Sequence, residues 1–227
     1  MDAEASTSSS SFSDNDTQQP SVTTSPKYQI GEAQYSDLQA AANLMTDGFY
    51  PQLQNNPIMR PIRYVMELDR LQQNFPYEPD DRHFYLVAFD NNVNEDGIIK
   101  RKVVGFCDVD GRVPKSSSEK KGLALLLPFV KYVQRPQPYF SDLAVDPNYR
   151  RQGVASALMV EAERRAKQMG YEELYLGVRS TNELALRMYE KIGYEGMVPF
   201  GDMLAFLEIQ KDVKMLRRTL SSDLDSR

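Results

Sequence analysis

Apolar residues recur along this chain with two different spacings, and the changes between them mark out its elements. Short runs of strand character, bounded by polar, Gly or Pro positions, occur at Tyr28–Ala33, Arg82–Asp90, Arg101–Val109, Tyr139–Val145, Glu173–Val178 and Met203–Ile209. Between them the spacing lengthens to three and four residues, which predicts helices. Leu38, Ala41, Met45 and Phe49 share one face of a helix that starts near Asp37, an N-cap candidate, and stops at Pro51. Tyr64, Leu68, Leu71 and Phe75 do the same over Pro61–Phe75. Leu158, Ala162, Ala166 and Met169 predict a helix over Val154–Met169, and a shorter one follows over Glu183–Ile192. Strands alternating with helices in this way predict an α/β fold with a mixed sheet.

Three stretches break the pattern. Residues 1–26 are rich in Ser and Thr, carry Asp2, Glu4, Asp14 and Asp16, and have no Lys or Arg before Lys27. That composition is read as a disordered N-terminal segment. Residues 110–137 form a long insertion, polar through Ser116–Lys121 and apolar from Leu123 to Val133. Residues 211–227 are charged and are read as a fraying tail, leaving one folded domain over 27–210.

Composition narrows the function. A net charge of −5 and a pI near 5.1 oppose a nucleic-acid surface. With one Cys and one His the chain holds neither a Cys/His zinc site nor an internal disulfide, and no metal ligands are expected. Cys107 reads as a small buried apolar residue, and a single thiol fits a reducing compartment. His83 reads as structural or exposed. The longest apolar run, Leu123–Val130, is far short of the roughly 18 residues of a membrane span and is broken by Pro128. The acid-bearing N-terminus is unlike a basic transit peptide or an apolar secretion signal, so a cytoplasmic location is expected.

The chemistry concentrates in Tyr139–Tyr194. An apolar strand enters a turn with Arg150, Arg151, Gln152 and Gly153, and a long helix opens at Val154 with the small residues Ala155 and Ser156. Unpaired N–H groups at a helix start bind anions, and the helix dipole favours them. Small residues let a bulky diphosphate approach the backbone. The spacing is neither that of a Walker loop nor that of the three-glycine dinucleotide fingerprint.

What stands here is Arg150-x-x-Gly153-x-Ala155, after Leu143-Ala144-Val145-Asp146-Pro147. It resembles the acetyl-CoA signature R/Q-x-x-G-x-G/A of the GNAT superfamily of N-acetyltransferases. Asn182-x-x-Ala185-x-x-Met188-Tyr189-x-x-x-Gly193-Tyr194 is similar to that superfamily's second signature, at the right distance. Ala155 in place of the last Gly resembles the plastid-type and N-terminal-acetylating branches, which leaves the chloroplast stroma as the alternative location.

The resemblance implies a mixed central sheet splayed at its middle strands and flanked by helices, with acetyl-CoA as co-substrate. It implies that backbone groups of Leu143, Ala144 and Val145 pair with pantetheine, and that Arg150–Ser156 cradle the pyrophosphate. Asn182, Glu183 and Leu184 would contact the cofactor or fix its loop. Tyr189 would point at the thioester sulfur, where a phenol can hydrogen-bond to a departing thiolate or protonate it. N-terminal acetyltransferases often carry a Glu or His on the strand corresponding to Glu173–Val178, where this chain has Gly177. Tyr139 matches a tyrosine of some of these enzymes and could order a water for proton removal.

The reading is an N-acetyltransferase acting on a protein α-amino group or lysine. A polyamine-type acetyltransferase and a non-catalytic acyl-CoA-binding module are the alternatives. The acids expected near the cleft are Asp47 and Asp142, too few for a polycation. The flanking segments Phe49–Gln54 and Leu123–Tyr139 are apolar and aromatic, which suits a peptide.

Overall fold

Among the described residues the strands are β1 (Gln29–Glu32), β2 (His83–Val93), β3 (Ile99–Asp110), β4 (Tyr139–Val145), β5 (Glu173–Arg179), β6 (Glu195–Gly196) and β7 (Val213–Thr219). These seven form one sheet in the order β1-β2-β3-β4-β5-β7-β6. The computed structural model describes residues 28–77, 82–93, 99–112, 138–197 and 212–220. Every neighbouring pair is antiparallel except β4 and β5, which run parallel. The helices are α1 (Leu38–Phe49), α2 (Met59–Asn74), α3 (Val154–Gln168) and α4 (Glu183–Lys191).

Alternation along the strands divides the core into two layers. Leu86, Val104, Cys107, Val109, Phe140, Leu174, Leu176 and Val178 point to the face covered by α3 and α4. There they meet Leu158, Ala162 and Ala166, the apolar stripe that the sequence marks on α3, all fully buried. Tyr85, Val87, Phe106 and Ala144 point the other way, against Leu38, Ala41, Ala42 and Met45 of α1 and Leu71 of α2. The described helices on this second face pack over β2 to β4 and leave the same face of β5 uncovered, so a cleft opens beside them.

Several expectations are corrected. Phe49 does not join the core stripe of α1; it is 42% exposed at the rim of the cleft. Asp37 precedes α1, but its carboxylate turns back to accept the Gln34 N–H at 2.8 Å, so it closes the preceding turn and does not cap the helix. The largest correction concerns the chain's last part. Val213–Thr219, read as fraying tail, pairs along all seven of its residues with β5, so the folded domain runs past position 210. Charge misled the reading: Lys214, Arg217 and Arg218 occupy a strand whose remaining positions include the buried Met215 and Leu216. Met203–Ile209, the 1–26 segment and nearly all of the 110–137 insertion lie outside the described residues.

A substitution separates strand from tail. Leu216 is 4% exposed within the main core. Leu216→Ala is expected to cost about 2–5 kcal/mol, as for other buried leucines, read as a lowered urea midpoint with an unchanged slope. A free tail would give no change.

Candidate active site

The cleft begins with a failure of strand pairing. β4 and β5 are in register only at Tyr139↔Tyr175 and Phe140↔Leu176. From Ser141 to Val145 no residue of β4 pairs with β5, and the strands part. On its other side β4 pairs with β3, but with one residue too many. Asp108 faces Ser141 and Phe106 faces Ala144, so Cys107 stands opposite both Asp142 and Leu143. This is a β-bulge, and it raises local twist and bends the strand away. Asp142 carries the strain at φ 61°, a region Asp tolerates better than most residues. Its carboxylate pairs with Arg70 at 2.9 Å, and Arg70 donates at 3.0 Å to Glu67, which is buried in α2. Burial pushes the Asp142 carboxyl above its ordinary value; Arg70 opposes this and the charge of Asp108 adds to it.

Below the splay lies the start of α3. Gly153 is its N-cap at φ 84°, a conformation that favours glycine. The first helical bond runs from the Ala157 N–H to the Gly153 carbonyl at 2.9 Å, so the N–H groups ahead of it have no partner within the helix. Arg151 and Ala155 line the cleft, and Arg150 lies at its edge, donating through Nε to the Val145 carbonyl at 3.2 Å. The groups a diphosphate needs are therefore present: unpaired N–H groups, two cations and a helix N-terminus.

Two phenols meet at the apex of the splay. Tyr139 comes from the α1/α2 side, and its hydroxyl fills the place a side chain of residue 177 would take. A Cβ on Gly177 would lie 2.5 Å from Tyr139 Oη and 3.0 Å from Val213 Cγ1. Gly177 is thus a hole in β5 that seats the Tyr139 phenol. Tyr189 comes from α4, with its ring against Tyr194 at 5.8 Å between centroids. Burial, then the neighbouring Cys107 and Tyr139, raise the Tyr189 phenol above its ordinary value. It stays protonated throughout the physiological range and can donate a hydrogen bond.

The far end of the cleft is polar in a way the sequence reading missed. His83, Asp108, Asp110, Arg112, Arg70 and Asn74 line it. Arg112 grips both oxygens of Asp110 at 2.9 Å. Burial would raise the Asp110 carboxyl, but the bonds and charge of Arg112 outweigh that and hold it below the usual range. His83, read as structural or exposed, is 1% exposed and hydrogen-bonds Asp108. Asp108 and Asp110 sit two apart on one strand and so share a face, the one signal that could have found them. Asp47, expected near the cleft, is bound bidentately to Arg60 on a separate depression and does not line it.

Of the residues singled out from sequence, Tyr139, Leu143, Ala144, Val145, Arg150, Arg151, Ala155, Asn182, Leu184 and Tyr189 line this one cleft of about 830 Å3. Gln152, Val154, Ser156 and Glu183 do not place their side chains in it. The Gln152 amide donates to the Asn148 carbonyl, Val154 is core, and Glu183 pairs with Arg187 on the exposed side of α4. Asn182 caps α4 by accepting the Ala185 N–H at 3.2 Å. Among the described residues no cluster of three or more His, Cys, Asp or Glu could hold a metal ion, and no helix is long and apolar enough to cross a membrane.

Comparison with known proteins agrees with this geometry. A family model for the acetyltransferase (GNAT) family matches residues 52–194, well over half of the 227-residue chain. The ribosomal-protein-S18-alanine N-acetyltransferase of Escherichia coli is 38% identical over 53 residues, which is 23% of this chain and 36% of that protein. The chain thus matches only about a third of that relative's length. The solved structure of the E. coli ribosomal-protein-S18-alanine N-acetyltransferase superposes with a TM-score of 0.50 at 17% identity, covering 86% of this chain and 94% of the other. An acetyltransferase from Streptococcus agalactiae superposes with a TM-score of 0.52 at 12% identity, covering 86% and 99%.

The hole at Gly177 makes a paired prediction. Gly177→Ala is expected to destabilise by about 1–3 kcal/mol through overpacking. In a Tyr139→Phe background, which removes the crowding oxygen, the same change costs clearly less. Urea unfolding of the four proteins measures the coupling; equal costs in both backgrounds would separate the glycine from the phenol.

Proposed function

The chain belongs to the acetyltransferase (GNAT) family, and from that premise we propose that it moves an acetyl group from acetyl-CoA directly to an amine of a polypeptide, an α-amino group or a lysine. The observation that carries the reading is the parting of β4 from β5 inside a cleft that starts at the turn of α3. The α3 turn with Arg150 and Arg151 would hold the pyrophosphate. The unpaired backbone of Leu143–Val145 would take the pantetheine arm as an added strand, and a backbone N–H there would face the developing oxyanion.

Electrostatics supports a polypeptide over a polyamine. A polycation loses hydration at each nitrogen and needs several carboxylates free to receive it. The cleft has Asp108, Asp110 and Asp142, more acids than the sequence suggested. Yet Asp110 is bound to Arg112 and Asp142 to Arg70, so their charge is already matched. Apolar Phe49 and Leu184, 42% and 83% exposed, flank the mouth and suit side chains of a peptide. The partial likeness to an enzyme that acts on a ribosomal protein points the same way.

Tyr189 assists departure of the thiolate. A phenol is a weaker acid than a thiol, about 10 against 8.5 in water, and burial here weakens it further. Its part is to donate a hydrogen bond to the leaving sulfur.

Initial rates with short peptides and with spermidine, at matched ionic strength, test the acceptor. Peptide kcat/KM is expected to exceed that of spermidine; the reverse for every peptide would overturn the reading. Tyr189→Phe is expected to lower kcat by roughly 10–10³-fold with little change in acetyl-CoA affinity. Single-turnover rates beside calorimetry check this, and full kcat in the mutant would remove the role.

A further inference from the structure

Proton removal is the step for which the sequence reading offers only a tyrosine-ordered water. Three carboxylates face the cleft, and their partners differ in kind. Asp142 and Asp110 are each held in an ion pair with an arginine, Arg70 and Arg112. Asp108 is held by an imidazole, with His83 Nε2 3.1 Å from its Oδ1.

The pair is built with care. An ionised carboxylate only accepts, so His83 donates to it through Nε2–H. Nδ1 is buried and has no hydrogen-bond partner among the described residues. The imidazole is clamped edge-on against Tyr85, 5.1 Å between centroids at 81°. Both line the cleft, and with the His83 side chain 1% exposed and that of Asp108 13% exposed, the carboxylate is the more open of the two. In the sheet Asp108 is in register with Ser141, the first residue of β4 beyond the splay's apex, and Asp110 with Tyr139. Direct cross-strand neighbours lie about 5 Å apart. Asp108 therefore flanks the point where β4 leaves β5.

We propose that Asp108 accepts the proton of the incoming ammonium group and that His83 is its positioning residue, orienting the carboxylate from behind. This rests on the acetyltransferase reading. The ammonium gives one proton to Asp108, which passes it to solvent. The nitrogen lone pair forms the C–N bond to the acetyl carbon, and the C–S bond breaks. The second N–H proton leaves the nitrogen and neutralises the thiolate, so the products are the amide, the thiol and one released proton.

The charged and titratable groups around Asp108 are His83 and Tyr85 on β2, Asp110 and Arg112 at and just past the end of β3, Tyr139 and Asp142 on β4, and Arg70 on α2. The test measures kcat for the full chain at neutral pH, using the best amine found for the wild type, whether peptide or spermidine. Asp108→Asn is expected to lose about 10²-fold in kcat, with acetyl-CoA affinity by calorimetry unchanged. His83→Gln is expected to give a smaller loss in kcat and no change in KM for acetyl-CoA. Asp108→Ala, assayed with and without formate, is the second arm, and a rate restored by formate supports the assignment. Full kcat in Asp108→Asn, or a loss restored by formate in Asp142→Ala but not in Asp108→Ala, overturns it while leaving the acetyltransferase reading intact. A wild-type protein that acetylates no amine sinks both.

Discussion

One extra residue in β4 governs the molecule's centre. A parallel pair of strands in a buried sheet ordinarily runs on to its full length, since each unpaired N–H or C=O away from water costs free energy. Here the pairing stops after two positions because the bulge at Asp142 turns β4 aside. The residue at the bulge is held by a chain of charges that starts in α2, from Glu67 through Arg70 to the Asp142 carboxylate. One helix and two strands thus agree on the position of a single peptide. The rest of the cleft follows, because the gap between β4 and β5 is where Tyr139 and Tyr189 approach from opposite sides.

The two ends of the cleft solve opposite electrostatic problems. At the α3 end, among the described residues, N–H groups without a helical partner and the arginines Arg150 and Arg151 leave positive charge unmatched. At the far end each acid already has its cation or imidazole, which keeps a dense polar cluster in place without a large net field. The chain's overall negative charge therefore says little about its cleft, where local pairing decides what is attracted.

The sequence carried most of the local architecture and the α3 end of the cleft. α3 is legible because its apolar stripe at Leu158, Ala162 and Ala166 keeps helical spacing and Gly153 marks its start. The site's other half is long-range. Nothing near His83 in the chain announces Asp108, twenty-five positions away, or the Arg70 and Asp142 pair that joins a helix to a bulge. Gly177 reads as a missing base until the Tyr139 hydroxyl is seen to occupy its space. β7 failed for a different reason: its charged residues flank Met215 and Leu216 and mask a strand as a tail.

That last strand has a consequence for how the chain is made. β7 is inserted between β5 and β6, yet it follows both in chain order. While the protein leaves the ribosome, β5 is finished at Arg179, but the antiparallel partner that covers one edge of it is complete only at Thr219. For that interval β5, with Leu174, Leu176 and Val178 on one face, presents an unsatisfied edge of the kind that recruits other strands. Its other edge is only partly used, because β4 splays away. The feature that opens the cleft thus also leaves the nascent sheet depending on its late-made strand for closure, and makes β5 the segment most exposed to mispairing during synthesis.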